Sequence, residues 1–409
     1  MINAISINSE TLLSRLSILG DIGRENGVLT RLAASDADKA GRDQFVAWLK
    51  EAGLEVRVDR IGNVFGVWNI QSDLAPLMMG SHIDTVINAG IFDGCYGVLS
   101  SLSVIEAMRA AEITPDRSII VGAFTNEEGV RYAPDMMGSL VYAGGLNTDE
   151  ALAIKGIDGT ILGEELARIG YAGDMEPGEI IPSAFLEAHI EQGPVLEDEG
   201  KLMGAVANLQ GISWQKITLS GVANHAGTTP TRLRTDAGLA AAKVICFLRE
   251  IVDGSDSVAT VGTMKFGPNA INVIPDVAEF TVDLRDPDET ILKSREAALI
   301  TFLNDLEKND GIKIETKRLA RFEPVIFDKQ IVEMIELGAA ERQLSCRRIT
   351  SGAGHDAQMM SRICPTAMIF VPSRDGISHN PLEHTGDASL IAGAQVLLDT
   401  AIRYTSAEI

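Results

Sequence analysis

A chain of 409 residues exceeds what one hydrophobic core usually organises, so two domains are expected, and 45% hydrophobic with 22% charged residues is the make-up of an ordinary globular protein. A formal net charge of −22 opposes binding to nucleic acid or an anionic membrane, which both require a basic face, so neither is expected as a partner, while a small anionic substrate stays open because bound divalent cations reverse a local potential. The four cysteines, Cys95, Cys246, Cys346 and Cys364, form no CxxC pair and no dense framework, which suits reduced thiols in a cytoplasm.

The opening segment MINAISINSE lacks a basic region followed by an apolar run, and no later stretch approaches the length that crosses a bilayer, so a cytosolic, unprocessed chain is expected. From Asp36 to Ala52 apolar residues recur at helical spacing (Phe45, Trp48, Leu49), and Gly53 is the expected stop. LEVRVD and NVFGVW then alternate as strands, PLMMGSH runs into a histidine, Val98 to Ala111 reads as a helix, and SIIVGAFT is an apolar strand ending at NEEG. Strand, helix, strand with chemistry at the strand ends predicts an open α/β sheet whose ligands sit beyond the carboxyl ends of its strands. After Gly211 the pattern changes. ISWQKITLSG, VATVGTMKF, AINVIP, VAEFTVDLRD and IKIETKRLA read as strands, and Thr235 to Val252 and Glu289 to Lys308 as helices, without Gly-rich acidic loops. The expectation is a discontinuous catalytic domain, residues 1–211 and 328–409, with an open mixed sheet flanked by helices, and a smaller α+β domain, residues 212–327, inserted into it.

All six histidines fall in Gly-rich or acidic segments that read as strand-end loops: GSHIDTV (His82), EAHIEQGP (His189), GVANHAGTTP (His225), SGAGHDAQ (His355) and GISHNPLEHT (His379, His384). With Asp93 in FDG and Glu127 and Glu128 in TNEEG, they make up the inventory of a two-metal hydrolytic centre. His82 and Asp84 form an HxD element. A ligating imidazole usually donates its other N–H to a carboxylate or carbonyl, so Asp84 is the expected outer support. Asp93 is the candidate bridge between two cations. Adjacent carboxylates at Glu127 and Glu128, after a buried strand, repel each other unless cations or protons offset them. One can ligate while its neighbour serves as general base, and the residues alone do not say which is which. His189 and His384 are each placed to complete one metal's shell. Mixed nitrogen and oxygen ligation favours zinc, with manganese, cobalt or nickel as substitutes.

Taken together, GSHIDTV, FDGCYGV, FTNEEGVRY, EAHIEQGP, NHAGTTP and SGAGHDAQ resemble the N-carbamoyl-L-amino-acid amidohydrolase group. That group belongs to the dinuclear M20 metallopeptidase-like amidohydrolases, with allantoate amidohydrolase and β-ureidopropionase. The resemblance spans nearly the whole chain in order. It implies His82, Asp93, Glu128, His189 and His384 as ligands of two divalent metal ions per subunit, Asp93 bridging, and Glu127 as catalytic base. It further implies that the inserted domain is a lid carrying a homodimer interface. His225 and Asn272 of that lid would approach the substrate, and Arg285 would anchor the carboxylate of a small anionic ureido substrate. Gln192, Gly354 and His355 are implicated at the same site, and His379 is expected to be structural or to support the ligands. An ordinary ion pair of Arg285 with Asp283 or Asp286 stands as the alternative to the anchor role. Ala188, Thr231 and Tyr132 replace the Leu, Met and Phe common in that group, which leaves the substrate side chain open.

The reaction implied is hydrolysis of the C–N bond of an N-carbamoyl-L-amino acid to the amino acid, carbon dioxide and ammonia. Allantoate amidohydrolase, β-ureidopropionase or a dipeptidase use the same machinery. A non-catalytic, metal-stabilised binding scaffold is the rival from another class, and such a chain would be expected to have lost the base or a ligand.

Overall fold

The computed structural model describes residues 5–406, so the start of MINAISINSE lies outside the described residues. Two compact units are present, residues 1–207 with 327–409 and residues 208–326. The sequence reading put these boundaries at 211/212 and 327/328.

In chain order the first unit contributes a short hairpin, β1 (Arg24–Glu25) and β2 (Val28–Leu29), then β3 (Glu55–Val58), β4 (Val64–Trp68), β5 (Leu77–His82), β6 (Ile119–Phe124), β7 (Ala184–Ile190) and β8 (Met203–Leu209). The second unit carries β9 (Gly211–Ser220), β10 (Val258–Thr260), β11 (Met264–Gly267), β12 (Val277–Asp286), β13 (Lys313–Phe322) and β14 (Val325–Ile326). The first unit closes with β15 (Cys346–Ser351) and β16 (Thr366–Val371).

The large sheet is mixed, in the order β8-β16-β7-β5-β6-β4-β3, with β15 also paired to β8. Its centre is parallel (β16 with β7, β7 with β5, β5 with β6), and β3, β4 and β8 join antiparallel. The parallel strands are buried along their whole length, which is why LMMGSH, IIVGAF and TAMIFV read as continuous apolar runs rather than alternating ones. Close approach of β5 and β6 requires Gly80, where a Cβ would stand 2.1 Å from the Gly122 carbonyl oxygen. The helix Cys95–Ala110 is buried on nearly all sides, and the C-terminal helix Asp387–Ser406 closes over it, the Tyr96 hydroxyl donating to the Leu390 carbonyl at 2.8 Å. Expected helix 36–52 is observed as Asp36–Glu51, and expected helix 98–111 begins three residues earlier, at Cys95.

In the second unit the sheet order is β10-β12-β9-β13 with β11 also on β12, all antiparallel. β12 buries every second residue, so one face is covered. Its core joins Ile217, Leu219, Phe280 and Val282 to Leu248 of helix Ala237–Val252 and Leu299 of helix Glu289–Asp310. Two expected strands differ. VATVGTMKF is split into β10 and β11. AINVIP is a loop with a single bridge at Val273, its Ile274 buried and Ile271 fully exposed, since Pro275 and the left-handed Asn269 interrupt a ladder. No helix among the described residues is long and apolar enough to cross a membrane.

Candidate metal centre

Chemistry gathers where four neighbouring parallel strands end. β5 finishes on His82, β6 runs into the loop holding Glu127 and Glu128, β7 finishes one residue past His189, and β16 leads into the loop carrying His379. Because β5 pairs with β6 on one side and β7 on the other, the loops leaving these strands open a crevice at a topological switch point. Glycine shapes its floor. Gly94 has φ +64°, and a Cβ there would stand 2.5 Å from the His82 ring, so the turn presenting Asp93 lies flat on that imidazole. From beneath, the buried Arg31 donates through Nε to the Ile83 carbonyl at 2.7 Å and through Nη2 to the Cys95 Sγ at 3.0 Å, tying the two loops together.

Asp93 is the hub. Its Oδ1 lies 3.5 Å from His82 Nε2 and 3.1 Å from His189 Nε2, while its Oδ2 lies 3.3 Å from His379 Nε2. His379 Nε2 is also 3.3 Å from Glu128 Oε2, and Glu127 Oε2 is 3.4 Å from His82 Nε2. Both Nδ1 atoms on the inner imidazoles are occupied by carbonyls, His82 by Asp84 O at 3.0 Å and His189 by Ile190 O at 2.9 Å, which turns each Nε2 toward Asp93, that of His189 also accepting the Gly94 N–H at 3.2 Å. Among the described residues, His82, Asp93 and His189 form one set able to hold a metal ion, and Asp93, Glu128 and His379 a second, sharing Asp93.

Charges are tightly linked here. Burial opposes ionised Asp93, but the surrounding His189, His379 and His82 outweigh it and hold the carboxyl well below its usual range. Burial likewise opposes a charged His82, yet Glu127, Asp93 and Asp84 raise that imidazole well above its usual value. Glu127 is pushed well above the carboxylate range by burial and the nearby Asp356, Glu128 and Asp93 against the pull of His82. Burial and Asp93 lift Glu128 to about 7, and the hydrogen bond to Asp93 lifts His379 to about 9. Two divalent cations fit this donor set. The carboxylates and imidazoles hold each other's charge only by sharing protons, and Glu128 Oε1 is buried without a hydrogen-bond partner.

Residues 78–403 match Peptidase family M20/M25/M40. The chain belongs to this family. It is 38% identical over 400 residues to an N-carbamoyl-L-amino-acid amidohydrolase from Rhizobium meliloti, covering 97% of this chain and 96% of that protein. To the allantoate amidohydrolase of Bacillus subtilis it is 34% identical, covering 85% of each. Among solved structures it resembles an amidase of the hydantoinase/carbamoylase family from Burkholderia multivorans, with 41% identity, a TM-score of 0.96 and coverage of 99% of this chain and 100% of that one.

The geometry bears on two sequence expectations for this M20 chain. His379, not His384, faces Asp93 and Glu128. The His384 ring lies edge-on to Phe92 at 6.2 Å, and its carbonyl accepts from the Arg374 N–H. Asp84 does support His82, but through its backbone carbonyl. Its carboxylate Oδ1 is 3.9 Å from the ring nitrogen and, with Oδ2, accepts the Glu127 and Glu128 N–H groups at 3.2 and 3.3 Å. The HxD element therefore anchors the EE loop as well as the imidazole.

Gln192 donates to Asp93 Oδ2 at 2.8 Å, and its Oε1 is buried without a partner. His355 packs 4.4 Å from the His189 ring, with Nε2 buried and without a partner. Gln192, Gly354 and His355 line a cavity of about 150 Å³ together with Glu127, Glu128 and His379. In the second unit, described by itself, His225 and Asn272 share a loop pair, the Ala226 N–H donating to the Asn272 carbonyl at 3.0 Å. His225 Nδ1 accepts from Gly227 and Thr228, so its proton resides on Nε2. Arg285 lies at the far end of β12, roughly 26 Å along the strand from Val277 at about 3.3 Å per residue, and its fork grips Asp283 at 2.9 Å. Within one copy, the second unit thus joins His225 to Asn272 but not to Arg285.

Glu383 escaped the sequence reading. Its Oε1 accepts the Phe92 and Asp93 N–H groups, and its Oε2 the Ser378 hydroxyl, so it fastens the Asp93 loop to the His379 loop. A Cβ on Gly90 would stand 2.2 Å from this carboxylate. No signal in PLEHT separates such a buried acid from a solvated one.

Proposed function

We propose that this protein hydrolyses the C–N bond of an N-carbamoyl-L-amino acid, releasing the amino acid with carbon dioxide and ammonia. It is an amidohydrolase of the M20 family, and what supports the finer reading is the shared Asp93 between two ligand sets, with Glu127 beside them and not a member of either. A ureido carbonyl is a poor electrophile because nitrogen donation stabilises it from both sides. Divalent ions held by His82, Asp93, His189, Glu128 and His379, zinc foremost with manganese, cobalt or nickel as substitutes, would acidify a water and polarise that carbonyl. Glu127 takes the proton of the attacking water and passes it to the leaving amine nitrogen, and its buried position raises its proton affinity toward that task. His225, with its proton on the outward Nε2, suits a developing oxyanion, and Arg285 suits the substrate carboxylate once it exchanges Asp283 for it.

The second unit serves in this reading as lid and homodimer surface, with Leu239, Ile245 and Trp214 exposed on it. Four free cysteines agree with a cytoplasmic location. Allantoate is the second reading, supported by the Bacillus subtilis relative. Ammonia release from N-carbamoyl-L-amino acids, N-carbamoyl-β-alanine and allantoate, before and after chelation and after readdition of each metal, tests the proposal. Chelator-sensitive turnover of one ureido class is expected. No ammonia from any of them, with metal loaded, would leave a peptide or acyl-amide hydrolase, or a binding scaffold.

A further inference from the structure

One carboxylate in the cavity has no part in the metal geometry. Asp135 lines the same pocket as Glu127, Glu128 and His379, yet it belongs to neither ligand set. Asp135 is exposed as a whole residue, but protein crowding one side of its carboxyl strips away part of its water and pushes it above the usual range, against its own backbone N–H, and no ion pair reaches it among the described residues. The other pocket carboxylates, Asp93, Glu127 and Glu128, all face imidazoles.

Its position is built rather than incidental. The Asn126 amide donates to the carbonyls of Tyr132 and Pro134 at 2.7 and 3.2 Å, and the Met136 N–H donates to the Glu127 carbonyl at 2.6 Å, so both flanks of Asp135 are tied to the strand-end loop that carries Glu127. Gly129, at φ +64°, lies so close that a Cβ there would stand 2.7 Å from the Asp135 Cα and N. The loop is therefore clamped on the EE loop, and the acid on its tip meets whatever fills the cavity.

A carboxylate offers acceptors and no donor. It repels a substrate carboxylate and attracts N–H groups. We infer that Asp135 is a specificity-determining residue that accepts a hydrogen bond from an N–H donor of the substrate, orienting the substrate with its own carboxylate turned away. The inference rests on the ureido reading above. The internal ureido N–H is common to every N-acyl amino acid and gives no selectivity, so two sources can make Asp135 specificity-determining, and the inference is confined to them: the terminal NH₂ of the carbamoyl group being cleaved, or a nitrogen on the substrate's side chain.

The test compares kcat/KM of the zinc-loaded wild-type protein, Asp135→Ala and Asp135→Asn on N-carbamoyl-L-norleucine, N-formyl-L-norleucine and N-carbamoyl-L-lysine. Loss of one charge-assisted hydrogen bond is expected to lower the donor-bearing substrate by about 10- to 100-fold more than the donor-lacking one, with part recovered in Asp135→Asn, which keeps an acceptor. A changed carbamoyl-to-formyl ratio assigns the terminal NH₂, and a changed lysine-to-norleucine ratio assigns the side chain. If both ratios stay at their wild-type values, whether activity falls uniformly or not at all, the inference is overturned. Should the wild-type protein cleave dipeptides and no ureido acid, the ureido reading fails. Asp135 is then decided by the same ratio on a dipeptide and its N-acetyl form, which lacks the ammonium donor.

Discussion

Replacing His379 separates the donor set that the structure brings together from the ligand set expected of the sequence. His379 Nε2 stands 3.3 Å from both Asp93 Oδ2 and Glu128 Oε2, and it is the one imidazole in that set. Its backbone is left-handed at φ 53°, so Asn, which tolerates that region, is the cleaner substitute than Ala. Loss of a group merely supporting a ligand costs about 10- to 100-fold in metal affinity. Removing the nitrogen ligand itself should therefore cost at least about 100-fold, or ~2.8 kcal/mol, at the second ion while the His82 and His189 set keeps its own. His384→Ala removes an edge-on contact with Phe92 at 6.2 Å but keeps the carbonyl that accepts from Arg374. The expected cost is about 0.5–1.5 kcal/mol of stability and no loss of metal. Metal content after dialysis, by inductively coupled plasma mass spectrometry, together with competition against a chelator of known affinity, reads both. His379→Asn holding two ions per subunit while His384→Ala holds one would refute the assignment.

Glu127→Gln should retain both ions and lose about 10²- to 10⁴-fold in kcat, measured by ammonia release on the loaded protein; unchanged kcat would remove Glu127 as the base. Asp84→Ala leaves the buried N–H groups of Glu127 and Glu128 without partners, at about 1–3 kcal/mol each, so a lower thermal midpoint and slower turnover are expected, and a wild-type midpoint would contradict the anchoring role. Metal uptake should release protons. With His379 raised to about 9 by its bond to Asp93, cations compete with a proton there, so affinity at that set should fall about tenfold per unit as pH drops below about 9, and more steeply below about 7 where Glu128 also takes a proton. Calorimetry in two buffers of different ionisation enthalpy would show the release as a buffer-dependent heat, and identical heats would contradict it.

What could be read from the chain was set by the kind of physical signal each feature leaves. Strands buried on both faces announce themselves as apolar runs, so β5 and β6 were legible, as was the rule that ligands follow their carboxyl ends. AINVIP carried the same apolar signal, yet its neighbours Asn269 and Pro275 deny it a ladder, and propensity lost to turn chemistry. The choice between His379 and His384 was not legible at all, because both occupy one loop of the same composition. It is decided by the left-handed turn at His379 and by Glu383, whose carboxylate grips Ser378 and the Asp93 backbone at once and so brings the adjacent histidine against Asp93 and Glu128. Asp84 makes the same point from the other direction. HxD spacing is satisfied equally by a carboxylate or a carbonyl at the imidazole, and only the fold shows that the carbonyl takes His82, freeing the carboxylate to hold the two N–H groups of the EE loop. A motif thus states which donors reach a site, whereas the hydrogen bonds competing for each one decide what it does there.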